Sequence, residues 1–291
     1  MFQKQNALLT LTTPAKPNGS RASALSAAVF CALAAASPAW AGVITGSSSA
    51  YGEAVTLGVT PPVGIALTTT SGPLPAASGT APSAYDVTQS AVSASVTGVL
   101  STGILTAAAA SNVDGSPGSR SATASATVNT LAVGILSVLG LTADTVASSA
   151  SISGAAGALA GSGSTVITNL RLNGLLVATA TIAPNTVILN AAGVKVTLNE
   201  QTFSGGGTDS QALSVNAIDV AFTNAAQPIV GDVFGRSSLL NGSIVIGHSE
   251  TALAAVGDLP VPEPASMLLV VCGLFGLAAF RRGTRRAARL G

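Results

Sequence analysis

The sequence predicts an all-β domain, an antiparallel sandwich of many short strands, with a signal peptide before it and a transmembrane helix after it. Three observations point there. From Ser121 to Asn129 small apolar and hydroxyl residues alternate strictly, the period of a half-buried strand. Asn173-Gly174 stands between two β-rich runs, as a two-residue hairpin turn requires. The apolar run Thr130 to Leu141 in the middle is too short for a membrane span and is followed by Asp144. A β-solenoid is the alternative architecture, although no clean fixed-period repeat is visible.

Residues 1–41 read as a signal peptide. Lys4, Lys16 and Arg21 precede the uncharged run Ala22 to Ala36, and Ala39 and Ala41 form the A-x-A pattern of a signal-peptidase site. Cleavage is expected before Gly42, which makes the Sec translocon and signal peptidase the first partners. Phe30 precedes Cys31, which is a poor lipobox, so lipidation is not expected.

Residues 42–258 are the exported β-rich domain, long enough for one core. Both cysteines, Cys31 and Cys272, fall in the targeting ends, so this region must hold together by packing alone. Residues 42–262 carry ten acids and four bases, a net charge of −6, which argues against nucleic-acid binding. Val194, Val196 and Leu198 alternate with Lys195, Thr197 and Asn199. Val166, Thr168, Leu170 and Leu172 alternate with Ile167, Asn169, Arg171 and Asn173.

Across the Asn173-Gly174 turn, Leu172 should face Leu175 and Leu170 should face Val177. Ala191-Ala192-Gly193 suggests a second hairpin and Asn241-Gly242 a third. Pro61-Pro62, Gly72-Pro73-Leu74-Pro75 and Asp114 to Gly118 read as loops. Leu131 to Leu141 is apolar without alternation and fits a buried strand or a short helix. Gly154 to Gly163 matches neither the dinucleotide fingerprint nor the phosphate-binding loop and reads as a flexible loop.

Residues 259–264 are a linker with a Pro-Glu-Pro motif, 265–280 a transmembrane helix and 281–291 a basic cytoplasmic tail. The helix holds sixteen uncharged residues, roughly 24 Å against a hydrocarbon core of about 30 Å, a short span. Arg281, Arg282, Arg285, Arg286 and Arg289 form the membrane stop and set the C-terminus inside.

The order Val261-Pro262-Glu263-Pro264-Ala265-Ser266, apolar stretch, Arg281-Arg282 resembles the PEP-CTERM sorting signal of Gram-negative exported proteins. The resemblance covers about thirty residues. It implies that an exosortase, a membrane-embedded cysteine transpeptidase, reads Pro262, Glu263 and Pro264. It also implies export to the cell surface or extracellular matrix through an inner-membrane intermediate, and association with exopolysaccharide and biofilm. A second resemblance lies in Ser49-Ala50-Tyr51-Gly52, Thr168 to Gly174, Val196 to Gln201 and Leu213 to Ile218, in that order. This series is similar to the choice-of-anchor P family, which implies an exported domain and no established activity.

Chemistry-bearing residues are scarce. His248 is the single histidine, and in the run Ser243 to Ser249 it should share a face with Ile244 and Ile246, as a packed or edge residue. No G-x-S-x-G elbow is present. Metal sites built on Cys or His are excluded in the mature chain. Asn112-Val113-Asp114-Gly115-Ser116 is similar to part of a calcium loop but lacks its closing glutamate, and the plain reading is an Asp-Gly turn. No cofactor is expected. Few aromatics and no mature tryptophan argue against a dedicated lectin face. The expectation is a non-enzymatic surface or matrix protein. The alternative is a secreted hydrolase using His248 with a nearby acid.

Overall fold

The computed structural model describes residues 42–62, 65–116, 118–135, 139–228 and 237–256. Among them there are fourteen strands and no helix. In chain order these are β1 (Gly42–Thr60), β2 (Leu67–Thr80), β3 (Tyr85–Ala91), β4 (Ser95–Val96), β5 (Leu100–Ser101), β6 (Leu105–Ser111) and β7 (Arg120–Ile135). They continue as β8 (Leu139–Ala155), β9 (Ala158–Leu172), β10 (Leu175–Thr181), β11 (Thr186–Ala191), β12 (Val194–Ser204), β13 (Ser210–Pro228) and β14 (Ser237–Val256).

The strands form two open sheets, and every ladder between them is antiparallel. The first runs β11-β12-β13-β14-β1-β2 and the second β10-β9-β8-β7-β5-β4, with β6 on β7 and β3 on β6. A solenoid's stacked coils are not what these residues form. β13 and β14 of the first sheet pack against β7, β8 and β9 of the second. The alternation read in the sequence is the cause: Ala122, Ala124, Ala126 and Val128 turn inward from β7 while Thr123 and Ser125 turn out.

The shared core is uneven. At one level it is branched aliphatic, with Leu131, Leu141, Ile167 and Leu170 of the second sheet against Leu198, Ile218, Ile244 and Ile246 of the first. At another it narrows to alanine: Ala50 and Ala77 meet Ala107, Ala109, Ala124 and Ala126. Small side chains let the sheets approach closely there, and the buried hydroxyls of Ser148 and Ser249 hydrogen-bond across the gap at 2.7 Å.

Several strands change phase, and this is where strict alternation misleads. On β14, Ile244 and Ile246 point inward, Gly247 takes φ 65°, and Ser249, Thr251 and Leu253 then point inward. His248 is therefore turned to the opposite face from Ile244 and Ile246, contrary to the expectation. β1 and β13 step at the same level, because Tyr51 and Asn216 both pair with His248 while Glu53 and Ile218 pair with Ile246. On β9, Asn169 at φ 54° does the same, so Ile167 and Leu170 are buried and Val166 is exposed. Each kink places one residue in the left-handed region without shifting the register, a conformation that Asn and Gly tolerate best.

The turns follow their chemistry. Asn173 and Gly174 have φ 48° and 84°, and Leu172 faces Leu175. Leu170 pairs with Ala178 rather than Val177, because a bulge between Leu176 and Ala178 absorbs one residue. Ala192 and Gly193, at φ 52° and 79°, close the second hairpin. The third does not exist: Asn241-Gly242 lies inside the continuous strand β14. Gly242 has φ 123°, and a Cβ there would run into the carbonyl of Thr56 on the neighbouring strand.

Gly72 to Pro75 also lies within a strand, β2, which is at the edge of its sheet where missing N–H donors are tolerated. The expected glycine-rich loop is instead the β8–β9 hairpin, and its Gly163 sits where a Cβ would press on Val215 and Gln201. The described parts of Leu131 to Leu141 are strand, in β7 and β8.

Candidate functional site

The phase step at Gly247 assembles the best candidate site on the outer face of the first sheet. Cross-strand pairing places Tyr51, His248, Asn216 and Glu200 in one row over four strands. Tyr51 and His248 stack with ring centroids 4.4 Å apart and planes 15° from parallel. Asn216 donates from Nδ2 to Glu200 Oε2 at 2.8 Å, which fixes its Oδ1 as an acceptor. His248 must then carry its proton on Nδ1 and donate it to Asn216 Oδ1 at 2.7 Å. Its Nε2 lies 3.6 Å from Glu250 Oε2. Only 12% of the His248 side chain is exposed, against 54% of Glu250.

Electrostatics follow from this packing. Burial lowers the His248 pKa and outweighs the opposing pull of Glu250, so the ring is neutral at pH 7. Burial raises the Tyr51 pKa, helped by Glu250 and Asp219. Asp219, one row along on β13, is pushed up to about 6 by burial and by Glu200, with Lys195 pulling the other way. On the inner side of the same kink, Glu53 is fully buried and accepts a hydrogen bond from Ser71 Oγ at 3.0 Å. Burial raises its pKa too.

This arrangement holds and orients the imidazole. Among the described residues no Ser or Thr hydroxyl hydrogen-bonds His248, and the adjacent Ser249 points into the core toward Ser148. An open groove of about 350 Å³ lies elsewhere, lined by small residues including Thr45, Ser47, Ala252 and Ala254. Asp114 of the calcium-like segment is engaged by Arg120 at 2.8 Å and by the Ser116 amide at 2.9 Å. The Ser116 amide is the largest cause of its lowered pKa. Among the described residues no group of three or more His, Cys, Asp or Glu side chains is gathered as a metal site needs.

The structure brings Tyr51, Glu200 and Asn216 together, each from a different one of the segments Ser49 to Gly52, Val196 to Gln201 and Leu213 to Ile218. Sequence reasoning missed them as partners of His248. The one available signal was Gly247, a glycine inside a strand pattern. Pro262, Glu263, Pro264, Ala39, Ala41, Arg281, Arg282, Arg285 and Arg286 lie outside the described residues, as do the expected signal peptide and C-terminal helix. Gly42 is the first residue of β1 and pairs with Val256, the last of β14, so the domain's two ends meet on neighbouring strands.

A model of the PEP-CTERM protein-sorting motif matches residues 260–286. No curated protein matches the chain, and no solved structure does. The motif is an address: it marks exported proteins that an exosortase sorts to the surface of Gram-negative cells.

Proposed function

We propose that the chain is a non-catalytic surface or extracellular-matrix protein, exported by Sec, cleaved before Gly42, held by residues 265–280 and processed by the exosortase that reads Pro262-Glu263-Pro264. The sorting motif starting four residues after β14 is the observation that carries this reading. A short span of roughly 24 Å suits a temporary stop better than a permanent anchor. The biofilm and exopolysaccharide association, and the likeness to the choice-of-anchor P family, rest on the sequence resemblances alone. A non-enzymatic role is supported by the His248 environment, in which Tyr51 stacks on the ring, Asn216 accepts from Nδ1, Glu250 lies near Nε2 and, among the described residues, no Ser or Thr hydroxyl hydrogen-bonds the ring.

Fractionation of a Gram-negative host that expresses the full chain and an exosortase tests the reading. The expected product begins at Gly42, lacks the arginine tail and partitions with the surface or matrix. Protein that begins at Met1 and stays in the cytoplasm would overturn it. Hydrolysis of ester, peptide or glycosidic substrates that His248→Ala abolishes would favour the enzyme instead.

A further inference from the structure

We infer that one end of the sandwich, formed by the β1–β2 and β9–β10 turns, docks on the surface of a phospholipid bilayer. The registers define that end. Gly42 pairs with Val256 and bridges to Gly118 just before β7, so the first residue of β1, the last of β14 and the start of β7 share one end. The strands run from there to the other end, where Thr60 pairs with Leu239 and Leu172 with Leu175. Core packing agrees. Leu57 and Leu240 share a cluster with Leu131 and Leu139, whereas Val43 and Leu253 share another with Ala122 and Ile152.

The domain is thus entered and left at one end, and it shows four of its most exposed apolar side chains at the other. Ile65 (85% exposed) and Leu67 (68%) stand at the β1–β2 turn, Leu175 (75%) and Leu176 (57%) at the β9–β10 turn. Charge is sorted along the same axis. Among the described residues, the last four positions of each strand toward this end hold no acid, and Arg171 and Lys195 are the charged residues there. Asp86, Asp114 and Asp209 lie toward the opposite end, where Asp86 pairs with Ala110, Asp114 precedes β7 and Asp209 precedes β13.

Charge, spacing and backbone chemistry select a bilayer as the partner. Apolar tips with cations behind them and no carboxylate match a layer whose anionic phosphates lie outside its hydrocarbon. The two turns stand on opposite sides of the sandwich: β2 packs over β3 and β6, while β10 is the far edge of the second sheet beyond β7, β8 and β9. At the spacing of strands they are roughly 20 Å apart. A broad, deformable surface meets both at once, whereas a protein partner would need one rigid face shaped to two separated knobs. The β9–β10 tip is also prepared for an apolar layer, because its backbone groups are engaged from within the domain. The Asn173 amide donates to the Gly140 carbonyl, the Gly140 amide to Asn173 Oδ1 at 2.8 Å, and Arg171 Nη1 to the Gly174 carbonyl at 3.2 Å. Satisfied groups cost little to take out of water.

Vesicle capture by the full-length protein tests the inference. The chain is reconstituted through residues 265–280 into vesicles of phosphatidylethanolamine and phosphatidylglycerol, and binding of a second, protein-free population of the same composition is measured. Reconstitution needs only the apolar run, so the outcome is separate from recognition of Pro262-Glu263-Pro264. We expect capture that falls about tenfold when Leu175→Ser and Leu176→Ser are combined, and about as much for Ile65→Ser with Leu67→Ser. Arg171→Gln with Lys195→Gln should weaken capture and reduce its sensitivity to salt. Val166→Ser, exposed on the outer face of the second sheet, should leave capture unchanged. Circular dichroism must show the same β signal in each variant, and the two turns are altered separately so that a folding defect in one does not decide the result. Absence of capture would overturn the inference, as would capture indifferent to both pairs of serine substitutions. Association of the full-length protein in lipid-free detergent that the same substitutions abolish would assign the tips to a protein partner and overturn it too.

Discussion

Tyr51 and His248 lie stacked on neighbouring strands, 4.4 Å between ring centroids, on the face opposite to Ile246. Gly247, at φ 65° between His248 and Ile246, turns the phase of β14 at a level where β1 and β13 step with it and the register does not shift. The stack is a stability element. His248→Ala removes it together with the Asn216 hydrogen bond and should cost about 1–2 kcal/mol. His248→Phe keeps the stack, loses the hydrogen bond and should fall between. Urea unfolding of the purified protein measures both.

The same residue contributes a pH dependence. The His248 pKa is lowered in the fold, so the unfolded chain binds the proton more tightly. Its contribution is present above the unfolded value of about 6.5 and is lost as pH falls below it. In His248→Phe, the loss of stability as pH falls below about 6.5 should be smaller than in the parent.

Asp219 has the opposite sign. Its pKa is raised from 3.8 to about 6, so its contribution is complete below 3.8 and lost as pH rises through about 6. Asp219→Asn should therefore stabilise the protein at pH 7 by about 1–2 kcal/mol, a value reduced for the partial exposure of the site, and by little at pH 4. Melting curves at the two pH values check the difference between them.

Gly242→Ala should destabilise by about 2 kcal/mol or more, since φ 123° and the Thr56 carbonyl both oppose a side chain. Gly134→Ala is the control. Gly134 also lies in a strand, but a Cβ there meets nothing within 4 Å, so its effect should be within about 0.5 kcal/mol.

The all-β class was legible because alternation and two-residue turns are local. Ser121 to Asn129 and the Asn173-Gly174 and Ala192-Gly193 turns could be read directly, and they fold as read. What failed was phase. A single left-handed residue at Gly247 or Asn169 flips the side chains beyond it, and only the neighbouring strands determine whether a glycine bulges, bends or turns. Asn241-Gly242 carries the composition of a hairpin turn, yet β1 and β13 pair on either side of it and keep it in a strand. The row Tyr51–His248–Asn216–Glu200 was invisible for the same reason: its members are distant in sequence and are aligned only by three coincident phase steps. The sorting motif was the reverse case, readable in full because its meaning is linear.

Glu263→Ala in the full chain, expressed in one host with an exosortase and in one without, tests sorting most directly. With the enzyme present, the parent should lose its arginine tail while the variant accumulates in the inner membrane with the tail attached; without the enzyme, neither should be processed. Equal tail removal from parent and variant, or in both hosts, would contradict recognition of Pro262-Glu263-Pro264 and leave the C-terminal segment a plain anchor.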